Sequence, residues 1–522
     1  MVGRALELRK FCRTLPHLAL LVAAALPSIV SAGEKVRNGD AATRPVVEKR
    51  RPLSAWRPVD SGRLDNGVRY AILPRVGTEP GVSLLMRNEG GFIEERRPGE
   101  RGLAHLIEHI AFLSPTIGAP DDLHHLLHVG LPLTFSAPSA GTTSWRETNY
   151  FLSTKTNNAA DLNTLLGLFR EVASDLTMRS DAVNEARVQV EQEMAGRKLG
   201  NDIYASYIAS VAPGSPNDVI DAQNSDDVAT ATVERIRGLY NRLYRPRNTM
   251  VVVVGNVDVS VTKAMVERHF GNWKRSDPGA STAPVASFEA ERIRPVSFAM
   301  LEQGRRIALM TVVAPAVAPA TSRRGQSTAM IMDMLVKQAV NDRLARSQPD
   351  SPPGKVGMFI ENGEQGHRLL MVWDNFAVGQ WRPALTNLRR TMCDLVTDGF
   401  TDPEWNTAKQ NLIRDLKQKS HEMANVPNVE LAKDLSHAVA AGQDLIPPDE
   451  LLRDASQLLP KIRARSATAW WQHQWHAGVE HVRVEAPELA REKDPLAAIR
   501  TTADDSTPCR VRRALGSNLL PH

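Results

Sequence analysis

The segment Gly102-Leu103-Ala104-His105-Leu106-Ile107-Glu108-His109-Ile110-Ala111-Phe112 decides how the rest of the chain is read. Residues four apart share one face of a helix, so His105 and His109 can offer two imidazoles to one ion. Leu103, Leu106 and Ile110 form an apolar stripe, as a buried helix requires. Neutral histidine nitrogen is an ordinary zinc ligand, and a catalytic zinc keeps one position open for water. Zinc brings the pKa of that water toward 7. Glu108 lies within reach without being a ligand. It can take the water's proton during attack on a peptide carbonyl and later deliver it to the leaving amine. A lone histidine pair is usually a packing or surface feature. Two histidines and a glutamate at this spacing arise by chance in roughly a few of every hundred chains of this size.

Two histidines do not complete a catalytic zinc site, and a carboxylate from another helix is a common third ligand. A later helical stretch offers Glu185, Glu191 and Glu193. Spacing alone does not choose among them, since each could be a solvated helix charge. His124, His125 and His128 follow the motif in an amphipathic stretch and read as surface or packing residues. His473 and His476, beside Trp470 and Trp471, read as structural.

The 522 residues are 42% hydrophobic and 24% charged, values of a globular chain with room for two to four domains. Arg4, Arg9, Lys10 and Arg13 precede an apolar run, Leu18 to Leu26, and then Val30-Ser31-Ala32. This is the pattern of a secretory signal with cleavage after Ala32. It implies a periplasmic or secreted protein. The apolar run is shorter than the ~20 residues of a membrane span, and no later stretch resembles one. The net charge is +5, of which the leader carries +3. A nearly neutral remainder is poor ground for nucleic-acid binding. Of three cysteines, Cys12 lies in the leader, and a single Cys393–Cys509 bridge is allowed in an oxidising compartment.

Residues 33–60 read as a polar linker. Strand patterns at 68–73, 82–86, 131–136 and 147–154 then alternate with helical ones at 102–112, 158–176, 181–197 and 225–244. Met250 to Val254 is a buried strand, and a helix at 259–270 closes a unit of residues 61–275. After a linker at 276–300, residues 301–487 repeat the order of strands, helices and a return strand. Residues 488–522 read as a polar tail with a basic stretch, Arg510 to Arg513. The expectation is an α+β protein of two related domains, each an antiparallel-rich sheet packed against helices.

His105-Leu106-Ile107-Glu108-His109 resembles the inverted HxxEH motif of the pitrilysin/insulinase family of zinc peptidases, in particular its bacterial periplasmic members. Leu64-Asp65-Asn66-Gly67, Glu147-Thr148-Asn149-Tyr150 and Tyr244-Arg245-Pro246-Arg247-Asn248 before Val251-Val252-Val253-Val254-Gly255-Asn256 are also similar. The resemblance is specific over 60–275 and weaker over 300–485. It implies a zinc ion held by His105, His109 and a later glutamate in a run resembling Glu-Arg-x-Val-Val-x-x-Glu. Arg187, Val190 and Glu193 fit that run, which assigns Glu193. The run's first Glu falls on Ala186, a departure that removes a residue supporting the site. A register shifted by one would recover Glu185 and place Gln192 at the ligand position. The resemblance also implies that substrate adds as a strand to a sheet edge, at Ser139, Ala140 and Gly141.

Many family members are twice this length or pair with a second subunit, and the halves close like a clam shell. The half without the motif often supplies an Arg and a Tyr. Here the last of the six tyrosines is Tyr244, so the second unit has none. The implied function is a zinc-dependent endopeptidase acting on peptides or small unfolded proteins, with Glu108 as general base. The alternative is a non-catalytic or partner-dependent subunit of a two-part peptidase, completed by a second subunit or a homodimer.

Overall fold

The computed structural model describes residues 58–128, 140–144, 146–213, 226–274, 288–300, 306–318, 320–347, 354–362 and 367–504. The leader, its cleavage site, the 131–136 strand pattern, Ser139 and Cys509 lie outside these residues.

The first sheet is built from β1 (Asp60–Arg63), β2 (Arg69–Pro74), β3 (Val82–Asn88), β4 (Gly141–Thr143), β5 (Thr148–Thr154) and β6 (Thr249–Gly255), in the order β1-β2-β6-β3-β5-β4. Only the β2–β6 pair is parallel. Strands β3, β5 and β6 are buried along their whole length. That accounts for near-continuous apolar runs such as Val251 to Val254, since a strand covered on both faces needs no alternation. On one face lie α1 (Leu103–Leu113), the short α2 (His125–His128), α3 (Ala159–Ser174), α4 (Ser180–Val211), α5 (Val233–Leu243) and α6 (Val259–Phe270).

The second sheet contains β7 (Val296–Ala299), β8 (Ile307–Pro315), β9 (Val356–Asn362), β10 (His367–Asp374) and β11 (Val479–Glu485), in the order β7-β11-β8-β10-β9. Again one pair at the side of the sheet, β7–β11, is parallel and the rest are antiparallel. The order matches β2-β6-β3-β5-β4 strand for strand. Helix α7 (Arg323–Ser347) enters between β8 and β9 as α1 enters between β3 and β4. The two units are thus topological relatives, as the element order implied. Around this sheet pack α7, α8 (Trp381–Thr397), α9 (Asp402–Glu422), α11 (Pro448–Leu458), α12 (Ala464–Ala477) and α13 (Pro495–Asp504).

The remaining helix, α10 (Asn428–Ala440), does not join them. Its Val429, Leu431, Ala432 and Leu435 cover Leu73, Leu85, Phe151 and Val252 on the back of the first sheet. Arg75 fastens this crossing: its guanidinium donates to the carbonyls of Val426 (2.7 Å), Ala424 (2.7 Å) and Met423 (3.3 Å). A second joint is α4 itself. It extends well past the helix end expected near residue 197, and Tyr207, Ile208 and Val211 pack against Val313 and Leu369 of the second sheet. The helix runs through Gly196 and Gly200, which intrinsic propensity disfavours, and is packed on either side of them, at Val190 and Met194 and at Ile208 and Val211. The fully buried Arg483 of β11 ties in, donating to Ser206 Oγ (3.1 Å), Ser297 Oγ (3.0 Å) and Glu485 Oε1 (2.8 Å).

Two segments depart from the sequence reading. Strand β7 lies inside the stretch read as the 276–300 linker, where four residues beside proline show no period. Helix α13 lies inside the stretch read as the 488–522 tail. Its Ile499 and Ala503, four apart, are buried in the second core and anchor an otherwise polar segment. Cys393 is disulfide-bonded, with its partner outside the described residues. No helix among the described residues is long and apolar enough to cross a membrane.

Candidate active site

Helix α1 starts at Gly102, whose φ of 86° is left-handed and suits glycine. The Glu95 carboxyl serves N–H groups at the start of the helix that have no partner within it, accepting from Gly102 (2.9 Å) and Ala104 (2.7 Å). Burial pushes that carboxyl up to about 8 against the pull of these donors. Leu103, Leu106, Ile107 and Ile110 are in the core, which leaves His105, Glu108 and His109 toward α4 and the β4 edge.

His105 Nε2 and His109 Nε2 are 3.2 Å apart. Glu193 Oε2, from α4, stands 3.7 Å from the first and 3.4 Å from the second. Donors held 2.0–2.1 Å from a tetrahedral ion lie roughly 3.3–3.4 Å from one another. The three edges bracket that spacing, and two imidazoles with one carboxylate are a suitable zinc donor set. Among the described residues these three form the group that could hold a metal ion. Of the carboxylates left open by spacing, Glu193 is the one brought to the histidines. Glu185 instead faces His124 Nε2 at 3.3 Å, and Glu191 is exposed.

The pKa of His109 is raised. Burial alone would lower it, but the Glu193 hydrogen bond and the Glu108 charge outweigh burial. Its Nδ1 lies 3.1 Å from Gln189 Oε1, one turn before Glu193 on α4. Glu108 is buried beside the pair, and its Oε2 accepts from Thr143 Oγ1 at 2.7 Å. Beneath it the buried Tyr150 and Tyr244 share a close Oη–Oη contact, and burial raises both phenols far above the ordinary tyrosine range.

Strand β4 forms one edge of the first sheet. Gly141 pairs with Tyr150 there, and a Cβ on Gly141 would meet Glu108 Oε1 at 2.5 Å. A side chain at this position would have to displace the carboxylate or the strand edge. Ala140 precedes the strand, and its carbonyl accepts from Phe151 N. Sequence reasoning missed Thr143 and Gln189. Neither belongs to the motif, and only the folded chain brings them to Glu108 and His109.

The other histidines are engaged elsewhere. His125 lies between Asp122 Oδ2 and Glu171 Oε2, each at 3.0 Å. His473 and His476 are exposed on α12. The side chain of His128 lies outside the described residues.

Comparison with known proteins agrees with this architecture. Residues 89–199 match the model for Insulinase (Peptidase family M16), and residues 230–344 match the model for the Peptidase M16 inactive domain. Two segments that together make up somewhat less than half of the chain thus match models of the insulinase family of peptidases. It is similar to the probable zinc protease PqqL of Escherichia coli strain K12, with 26% identity over 211 residues, covering 40% of this chain and 22% of that one. The crystal structure of the periplasmic protease PqqL from Escherichia coli superimposes with a TM-score of 0.70 at 20% identity, over 89% of this chain and 52% of that one. The structure of the first half of the same protease gives 0.70 at 19% identity, over 90% of this chain and 100% of that one. The chain therefore spans about half the length of its solved relative.

Proposed function

We propose that this chain is a zinc-dependent endopeptidase acting on peptides or small unfolded proteins in the periplasm or outside the cell. The observation that carries this is the convergence of His105 Nε2, His109 Nε2 and Glu193 Oε2 beside the buried Glu108, against a sheet edge. His105, His109 and Glu193 hold the ion. When bound, zinc supplies Lewis acidity and brings the pKa of water toward neutrality. Glu108 takes the proton of the attacking water and passes it to the departing amine. Thr143 holds the Glu108 carboxylate in place. The side of β4 that no other described strand covers, at Ala140 and Gly141, receives the substrate backbone as an added strand, with Ser139 preceding it in sequence. Relatives named as zinc proteases support the metal, and a periplasmic relative together with a disulfide at Cys393 supports the compartment.

The test is cleavage of an unfolded reporter peptide by the chain at known zinc content. Cleavage that a chelator stops, zinc restores and Glu108→Gln abolishes supports the reading. Cleavage indifferent to both refutes it.

A second reading is favoured by two observations. No tyrosine follows Tyr244, and the chain aligns with the whole first half of a protease about twice as long. On that reading the chain binds zinc but needs a second subunit to cleave. Stoichiometric zinc without cleavage is its signature.

A further inference from the structure

We propose that Gln189 is a positioning residue for His109 and takes over a supporting role that Ala186 leaves vacant; this rests on the metal-site reading above. Gln189 and Glu193 are four residues apart on α4 and share the face turned to α1. Glu193 Oε2 meets Nε2 of His109, while Gln189 Oε1 lies 3.1 Å from Nδ1 of the same ring. An amide oxygen can only accept, so Nδ1 carries the hydrogen. A neutral imidazole then presents its lone pair at Nε2, the atom facing Glu193 and His105. One side chain thus sets both the tautomer and the ring angle of the ligand.

In the run Ala186-Arg187-Val188-Gln189-Val190-Glu191-Gln192-Glu193 the expected first glutamate is an alanine, fully buried in the first core. No polar group can reach the histidine from there. Gln189 stands where the run has an apolar residue, one turn nearer the ligand, and supplies the acceptor instead. The substitution is not equivalent, because a carboxylate would raise the basicity of the imidazole where a neutral amide does not. The chain keeps orientation and gives up charge.

Because Gln189 is exposed, replacing it leaves the core intact. The experiment measures zinc affinity by competition with a chromophoric chelator, and melting of the metal-free protein, for the full chain and its variants. Gln189→Leu is expected to weaken zinc binding about 10-fold, at the low end of such effects because the contact is open to solvent. Gln189→Glu is expected to match or exceed the starting affinity. Metal-free melting temperatures should be unchanged in both. Unaltered affinity in Gln189→Leu overturns the proposal, as does equal weakening in both variants, which would reveal only a packing effect. His109→Ala and Glu193→Gln are the reference variants. If they too bind zinc normally, the metal-site reading itself is wrong and the proposal falls with it. If they lose zinc while Gln189→Leu does not, only the role of Gln189 is refuted.

Discussion

Thr143 Oγ1 donates to Glu108 Oε2 at 2.7 Å, so the sheet edge and the motif helix meet at the carboxylate assigned as general base. A hydrogen bond to a charged acceptor contributes about 1.5–3 kcal/mol where it is held in place. Thr143→Val keeps the shape and removes the donor. The expected result is a fall in kcat on the order of 10-fold, with zinc content unchanged, measured by steady-state cleavage of a reporter peptide.

Gly141→Ala probes the same contact from the opposite side. The added Cβ would lie 2.5 Å from Glu108 Oε1, so either the carboxylate or the β4 edge must move. Displacement of a reacting group by about 1 Å costs on the order of 100-fold in rate. The expected variant folds, binds zinc and cleaves at about a hundredth of the starting kcat. Unchanged kinetics would mean that Glu108 does not act from this position.

These two contacts also show where the sequence is mute. His105, Glu108 and His109 were legible because one helix carries them, and helical spacing is a local property. The buried strand at Met250 to Val254 was legible for a similar reason, as an uninterrupted apolar run. Glu193 was not separable from Glu185 and Glu191 by spacing, because only the packing of α4 on α1 selects it. The family-like run around Arg187 and Val190 points to it, and in the fold its carboxylate lies beside the two imidazoles. Strands β4 and β7 are too short to show a period. Thr143 and Gln189 acquire their partners only when separate elements meet, and nothing in their neighbourhood announces it. The location of α10 on the first sheet was illegible for the same reason.

Arg75 provides a test of that unexpected packing. Its guanidinium serves carbonyls at the turn leading into α10. Arg75→Met leaves these acceptors without their donor and should cost about 3 kcal/mol. Chemical denaturation followed by far-UV circular dichroism should show an earlier transition. An unshifted midpoint would show that the apolar contacts of α10 suffice.

His481 sets an acid limit on stability. It is fully buried, with Nδ1 2.6 Å from the Arg294 carbonyl and Nε2 3.0 Å from Ser297 Oγ. Burial, with the nearby Arg483 charge, brings its imidazole down to about 4. The folded state thus holds a neutral ring that the unfolded chain protonates near pH 6.5. The unfolded state binds more protons between those values, so the stability is complete above pH 6.5 and is lost as pH falls toward 4. The loss reaches about 3 kcal/mol. Denaturation midpoints measured between pH 7 and 4 should fall for the natural chain. They should fall less for His481→Gln, which cannot take up the proton.

The central claim is that His105, His109 and Glu193 hold one zinc ion beside Glu108. Anomalous diffraction at the zinc edge, from crystals of the Glu108→Gln variant grown with zinc, tests it most directly. The account predicts one strong peak about 2.0–2.1 Å from His105 Nε2, His109 Nε2 and a Glu193 oxygen. A peak seated on other residues, or no peak at this cluster with zinc present, would contradict it.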